Sequence, residues 1–340
     1  MSCLSWQIRS RVTILSENPK VWIWVALLAL LGSMALAMTT GSIDVTLRDI
    51  LASFDNRDHR LHTVIWNVRF PRILCALAVG SSLAVSGALL QTAVRNPLAD
   101  PGILGVTSGA GLAALIVMLL FPSSIFWLPW AGFLGGMSTT AIMLGLAWSR
   151  AQDPGTLRIV LSGVALQALL GAFIALLTFS FADRAPSFAA FVIGSLNGLG
   201  WADFNILIAP TLLGLGLAFA FARPLNLLML EDSAASGLGL AVRTARFAAS
   251  CIAALLAAGS VSVAGLIGFV GLVVPNGLRL LVGPEHKLLL PVSALGGAIL
   301  VLLADLAART VMAPLELPVG ALLALLGGPY FIYILWTKLP

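Results

Sequence analysis

Residues 69–111, RFPRILCALAVGSSLAVSGALLQTAVRNPLADPGILGVTSGAG, decide the fold of this 340-residue chain. Two arginines flank a proline, and about twenty apolar or small residues follow, the length that crosses a hydrocarbon core ~30 Å thick. The run breaks at Arg95-Asn96-Pro97 and resumes through Pro101-Gly102, Gly105, Gly109 and Gly111. A soluble helix does not tolerate so many breakers. In a membrane, broken helices persist only where the freed backbone groups face protein or a water-filled cavity. A span followed by a Pro/Gly-rich return segment therefore predicts a translocation path rather than an anchor.

Composition extends this reading to the whole chain. Hydrophobic residues make up 59% and charged residues only 10%, and the mean hydropathy is +1.03. Water-soluble domains carry roughly 25% charged residues, so an all-α integral membrane protein without a separate soluble domain is expected. The pI near 9.6 comes from basic residues scattered singly between apolar runs, a pattern of membrane topology rather than of nucleic-acid binding. Cys3, Cys75 and Cys251 form neither a disulfide framework nor a metal cluster. Arg9, Arg11 and Lys20 precede a long apolar run without a clear cleavage site, which reads as a cytoplasmic segment, 1–20, and a first uncleaved span.

Ten spans fit the apolar runs, at about 21–40, 64–92, 96–120, 127–149, 157–181, 204–222, 245–264, 267–283, 288–308 and 318–336. They make one transmembrane domain over 21–336, with a cytoplasmic loop at 223–246 and a short C-terminal segment at 337–340. With the N-terminus inside, twelve basic residues fall on inner loops and seven on outer ones, which satisfies the positive-inside tendency. Five outer arginines crowd into one loop, Arg48, Arg57, Arg60, Arg69 and Arg72. A Gly/Ser run at 80–87 is echoed at 259–265 in a span of opposite direction, as inverted repeats require, although small-residue runs also serve ordinary helix packing.

Signatures of catalysis are nearly absent. His59, His62 and His286 read as solvated loop residues without a metal or nucleophile arrangement. Asp305 is the one acid clearly inside a span; Arg309 lies one helical turn on, leaving a structural ion pair or a proton relay open. The only lysines are Lys20, Lys287 and Lys338, so no Gly-Lys-Ser/Thr phosphate loop exists. Active transport would draw on an ion gradient or a partner ATPase. In the loop 223–246, Leu227–Leu230 followed by Glu231-Asp232-Ser233-Ala234-Ala235 reads as a short helix, which Gly237 and Gly239 turn into a second. Such a hairpin is either a docking knob or an ordinary connection.

The motifs RFPR, SGALLQ, RNPLADPGILGVTSGAG, LEDSAASGLGL, GLIGFVGLVVPNGLRLLVGPEHK and ADLAARTVMAPLELPVGALLALLGGPYF resemble the permease subunits of iron-siderophore, haem and cobalamin ABC importers over about 21–336. The resemblance implies a type II importer architecture: ten spans with an inverted pseudo-repeat. It also implies a second permease, two cytoplasmic ATPases that bind ATP and Mg, and a periplasmic or lipoprotein binding protein; this chain itself would hold no cofactor. Carried over by motif, Arg69, Arg72 and Arg309 would meet glutamates of the binding protein, with lipid headgroups as the alternative partner of Arg69 and Arg72. Asn96, Leu98, Thr156 and Leu157 would narrow a cytoplasmic gate. Leu230, Glu231, Asp232, Ser233, Ala234, Ala235, Gly237, Leu238 and Gly239 would rest on an ATPase. Asn276 stands where the family usually has histidine.

The expected function is transport of a metal chelate, a ferric siderophore first and haem or cobalamin second, across the bacterial inner membrane with both termini cytoplasmic. Membrane lipid, the second permease, the ATPases and the binding protein are the expected partners; nucleic acid and resident metal are not. An ion-coupled secondary transporter would need an ion site near the midplane, for which Asp305 is the sole and poorly placed candidate. An intramembrane enzyme would need converging polar side chains in mid-span.

Overall fold

Pro71 lies in the first turn of the organising helix of the fold, where it supplies no N–H and where a preceding π-helical turn passes straight into the helix. The computed structural model describes residues 21–41, 45–55, 61–148, 156–181, 191–313 and 315–338. The expected segment 1–20 lies outside them, as do the last two residues of the expected segment 337–340, His59, Arg57, Arg60, Arg150 and Arg184. The helices are α1 (Val21–Thr39), α2 (Leu47–Asp55), α3 (Phe70–Ala93), α4 (Val106–Leu120), α5 (Leu128–Trp148), α6 (Thr156–Ser180), α7 (Trp201–Ala220), α8 (Ala222–Leu228), α9 (Asp232–Gly237), α10 (Val242–Ala264), α11 (Val270–Val282), α12 (His286–Thr310) and α13 (Val319–Lys338). A π-helical turn, Val64–Arg69, leads into α3. No strand occurs among the described residues. Ten of these helices overlap the ten expected spans, and α2, α8 and α9 are short elements between them; among the described residues six helices are long and apolar enough to cross a membrane.

Two spans are shorter than the apolar pattern suggests. The expected span at 96–120 becomes helical only at Val106. Pro97 and Pro101 supply no N–H, and Gly105 takes φ +74 at the end of a 3-10 turn over Pro101–Leu104, so residues 94–105 fold as a loop. The span at 267–283 is helical only from Val270, after Gly265 and Phe269 at φ +71 and +67. This non-helical stretch is satisfied inside the protein: Leu266 N–H donates to Phe191 O and Ser195 N–H to Ala264 O. Gly320 N–H closes the junction onto Gly194 O. Irregular backbone at such depth is tolerable only with partners of this kind.

α3 lies at the centre, buried along nearly its whole length and packed by α7, α10, α11 and α12. Contacts of Arg72 with Asp305, Gly80 with Gly297 and Thr92 with His286 fix α3 and α12 as an antiparallel pair. A Cβ added at Gly80 would sit 2.2 Å from Gly297 O, and one at Gly297 equally close to Gly80 O. The two helices therefore meet backbone to backbone, the close approach that small residues permit in membranes. Hydroxyls on the same α3 run reach neighbouring helices: Ser82 Oγ donates to Thr211 Oγ1 at 3.2 Å and Ser86 Oγ to Ala253 O at 2.7 Å. α7 runs parallel to α3, with Trp201 Nε1 donating to Trp66 O and Thr211 further along at Ser82. It runs antiparallel to α10, where Gly259 faces Pro210 and Leu256 faces Gly214. The Gly/Ser runs of α3 and α10 thus point in opposite directions.

Candidate functional site

Polar side chains gather at the two ends of α3. At its N-terminal end, Arg72 forks onto Asp305, with Nη2 2.8 Å from Oδ1 and Nε 3.1 Å from both carboxylate oxygens, while Nη1 reaches Glu316 Oε2 at 2.9 Å. Arg309 Nε lies 3.5 Å from Asp305 Oδ2, and its Nη2 donates to Ala37 O at 3.0 Å. Arg69 donates to Met38 O, and its guanidinium lies against Gly41. Asp305 does pair with Arg309 one turn on, as its spacing suggests, but its closer partner is Arg72. Arg69, Arg72 and Arg309 are only 4%, 6% and 8% exposed, so all three expected docking arginines are turned into their own chain. Glu316, a member of this cluster, carried no local signal in the sequence.

At the opposite end, the loop 94–105 is folded by its own side chains. Asn96 Oδ1 accepts from Leu98 N–H at 2.9 Å, and Asp100 Oδ1 accepts from Gly102 N–H at 2.9 Å. Asn276 Nδ2 donates to Pro97 O at 2.7 Å and to Leu272 O at 2.9 Å, while its Oδ1 accepts from Arg279 Nη1 at 3.0 Å. The Asn276 amide thus fastens this loop to α11. Gln167 of α6 donates to Gly102 O. Thr156 and Leu157, the other expected gate residues, open α6; their side chains lie outside the described residues.

The loop 223–246 meets the same end. The expected helix through Leu227–Ala235 is broken: α8 stops at Leu228, and α9 begins at Asp232 behind an extended Glu231. Arg95 fills the break. Its Nε donates to Leu228 O at 3.1 Å and its Nη2 to Leu230 O, carbonyls that a continuous helix would use internally. Nη2 also lies 2.6 Å from Asp232 Oδ1, which Arg246 Nη2 approaches at 2.9 Å. Ala235 is buried and anchors α9, while Leu230, Glu231, Ser233, Ala234, Gly237, Leu238 and Gly239 are exposed. Gly239, at φ +84, makes the turn toward α10.

His286 is not the solvated loop residue that its sequence neighbours suggest. It is 1% exposed at the start of α12. Its Nδ1 lies 2.8 Å from Asn226 Oδ1, which also accepts its backbone N–H at 2.9 Å, and its Nε2 lies 2.7 Å from Thr92 Oγ1. The partners come from α8 and α3, so nothing adjacent in the sequence announces this burial. His62 is half-buried, with Nδ1 3.0 Å from Ser53 O. Among the described residues, no group of three or more His, Cys, Asp or Glu side chains could hold a metal ion.

Three comparisons bear on the assignment. The model of the FecCD transport family matches residues 27–337. The hemin transport system permease protein HmuU of Yersinia pestis is 41% identical over 320 residues, 91% of this chain and 93% of that protein. The Fe(3+) dicitrate transport system permease protein FecD of Escherichia coli K12 is 41% identical over 309 residues, 91% of this chain and 96% of that protein. A solved structure described as a metal-chelate type ABC transporter in an inward-facing conformation superposes with a TM-score of 0.83 at 31% identity, covering 94% of this chain and 99% of that one. The chain therefore belongs to the FecCD transport family, as a membrane permease subunit of the ABC importer type and not an enzyme.

Proposed function

We propose that this chain, with a second permease chain identical or homologous to it, forms the path of an importer for a metal chelate. A ferric siderophore is the favoured cargo, and haem or cobalamin is the alternative. Relatives named for ferric dicitrate and for hemin match equally well, at 41% identity, and both cargoes are large iron chelates. The assembly would lie in the bacterial cytoplasmic membrane with both termini of this chain inside. Two cytoplasmic ATPases would bind ATP and Mg, and a periplasmic or lipoprotein binding protein would deliver the cargo. Asn96, Leu98, Thr156 and Leu157 would narrow the inner gate. Arg69, Arg72 and Arg309 exceed Asp305 and Glu316 by one positive charge, a surplus that would steer acidic groups of the binding protein to this face.

The observation that carries the reading is the exposed knob over Leu230–Gly239. Leu238 is 64% exposed and Leu230 is 41% exposed, at the end of the bundle where the loop 94–105 lies. An apolar tip on a short helix suits a cleft in another protein. Uptake of radiolabelled ferric siderophore, haem and cobalamin is to be compared in cells with the native chain, without it, and with Leu238→Asp. Loss of one chelate in both altered strains, with the variant still inserted, names the cargo and supports coupling through the knob. Undiminished uptake of all three without the chain, no homologue being present, overturns the reading in favour of an ion-coupled secondary transporter.

A further inference from the structure

Two polar ties join the knob-bearing segment to the end of α3. One is Arg95, which holds Leu228 O, Leu230 O and Asp232 with a single guanidinium. The other is the chain Asn226–His286–Thr92, which joins α8, α12 and the last turn of α3. Arg95 is adjacent to Asn96, and its backbone sits at φ 53, a region where residues other than glycine are uncommon. That conformation aims the side chain away from the loop and under α9. The far side of the loop is fixed to α11 by Asn276 on Pro97 O. Residues 96–98 thus lie between Arg95, tied to the segment bearing the knob, and Asn276 on the bundle, while Asn96 N–H donates to Gln91 O at the end of α3 and Gln167 holds Gly102 O further along.

We infer that Arg95 is a positioning residue that transmits displacement of the α8–α9 segment to the loop 96–98, with Asn276 as the opposing anchor. This rests on the proposal that the knob meets an ATPase and that Asn96 and Leu98 narrow the path. A push on α9 loads Asp232 and the two carbonyls, which the guanidinium holds together, and the load passes through the Arg95 backbone into Asn96. Because Pro97 O is pinned to Asn276, the loop turns about that point instead of following as a rigid body. Arg246 shares Asp232 and keeps α9 attached to α10 when Arg95 is removed, so the linkage can fail while the knob stays in place.

The test uses the complete importer, with both permeases, both ATPases and the binding protein, in proteoliposomes. Leu98→Cys reports the gate through its rate of labelling by an impermeant maleimide, with and without ATP. In the native background ATP should change that rate by about tenfold, a coupling of ordinary strength. With Arg95→Ala the change should fall below about twofold while ATP hydrolysis continues. Arg95→Lys keeps the ion pair to Asp232 but not the fork across the two carbonyls, and should restore part of the response. A full gate response in Arg95→Ala overturns the inference. If Arg95→Ala does not assemble, an assembled Arg95→Lys importer in which hydrolysis and gate response fall in parallel overturns it as well. Crosslinking of Leu238→Cys to the ATPase separates the two levels: no crosslink defeats the underlying reading, whereas a crosslink with an intact gate response in Arg95→Ala defeats only the inference.

Discussion

Removing one partner of a buried ion pair costs far more than removing a half-exposed one, and the Arg72 cluster contains both kinds. Asp305 is 1% exposed and faces Arg72 and Arg309; its loss leaves Arg72 with Glu316 alone and takes the carboxylate from Arg309, at a cost of about 3–5 kcal/mol. Glu316 keeps 32% of its side chain exposed, and its loss should cost about 1 kcal/mol or less. Asp305→Asn should accordingly lower the thermal unfolding midpoint in detergent strongly, and Glu316→Gln only slightly. Equal shifts would mean that Glu316 matters to the cluster as much as Asp305 does. The sequence singled out Asp305 as an intramembrane acid because such residues are rare, and it offered Arg309 because a helical turn is countable. It could not offer Arg72, 233 residues away, nor the pairing of His286 with Asn226 and Thr92, since these contacts exist only once three helices are docked.

Helix packing obeys the same division between local and distant causes. The run Gly80–Gly87 was legible as a small-residue surface, and α3 uses it so: Gly80 touches Gly297, and a Cβ at Gly87 would lie 1.9 Å from Gly271 O. Gly80→Ala places a methyl group against backbone that cannot step aside, so a loss of about 1–3 kcal/mol is expected. Gly32→Ala in α1 meets nothing within 4 Å and should leave the unfolding midpoint of the detergent-solubilised chain unchanged or raise it, since alanine inside a helix is favoured over glycine by about 0.5–1 kcal/mol. A comparable loss in both would mean that α3 and α12 are not in backbone contact. Prolines at 97 and 101 announced the loop after α3, because a missing N–H acts wherever it occurs. The late start of α11 had only a weaker signal, the glycines at 265 and 268. Its preceding stretch is held by Phe191, Gly194 and Gly320, which belong to two other parts of the chain.

For the molecule as a whole, the number of spans was legible because the bilayer sets the length of an apolar run. Which face meets which partner was not, because exposed Leu238 and exposed lipid-facing leucines have the same composition. Orientation rests on charge. Arg48, Arg69, Arg72 and Arg309 gather at one end of the bundle, and Arg95, Arg243, Arg246, Arg279 and Lys287 at the other, which the positive-inside tendency assigns to the cytoplasm. Ser123, in the exposed turn between α4 and α5, marks the first end, and Leu238 marks the second. Cysteine at each position, in a chain whose native cysteines are replaced by serine or alanine, gives a direct test. An impermeant maleimide should label Ser123→Cys in intact spheroplasts and leave Leu238→Cys untouched, and the pattern should reverse in inside-out vesicles. Labelling of Leu238→Cys from outside would place the knob beyond reach of any cytoplasmic ATPase, and with it would fall both the proposed coupling and the role assigned to Arg95.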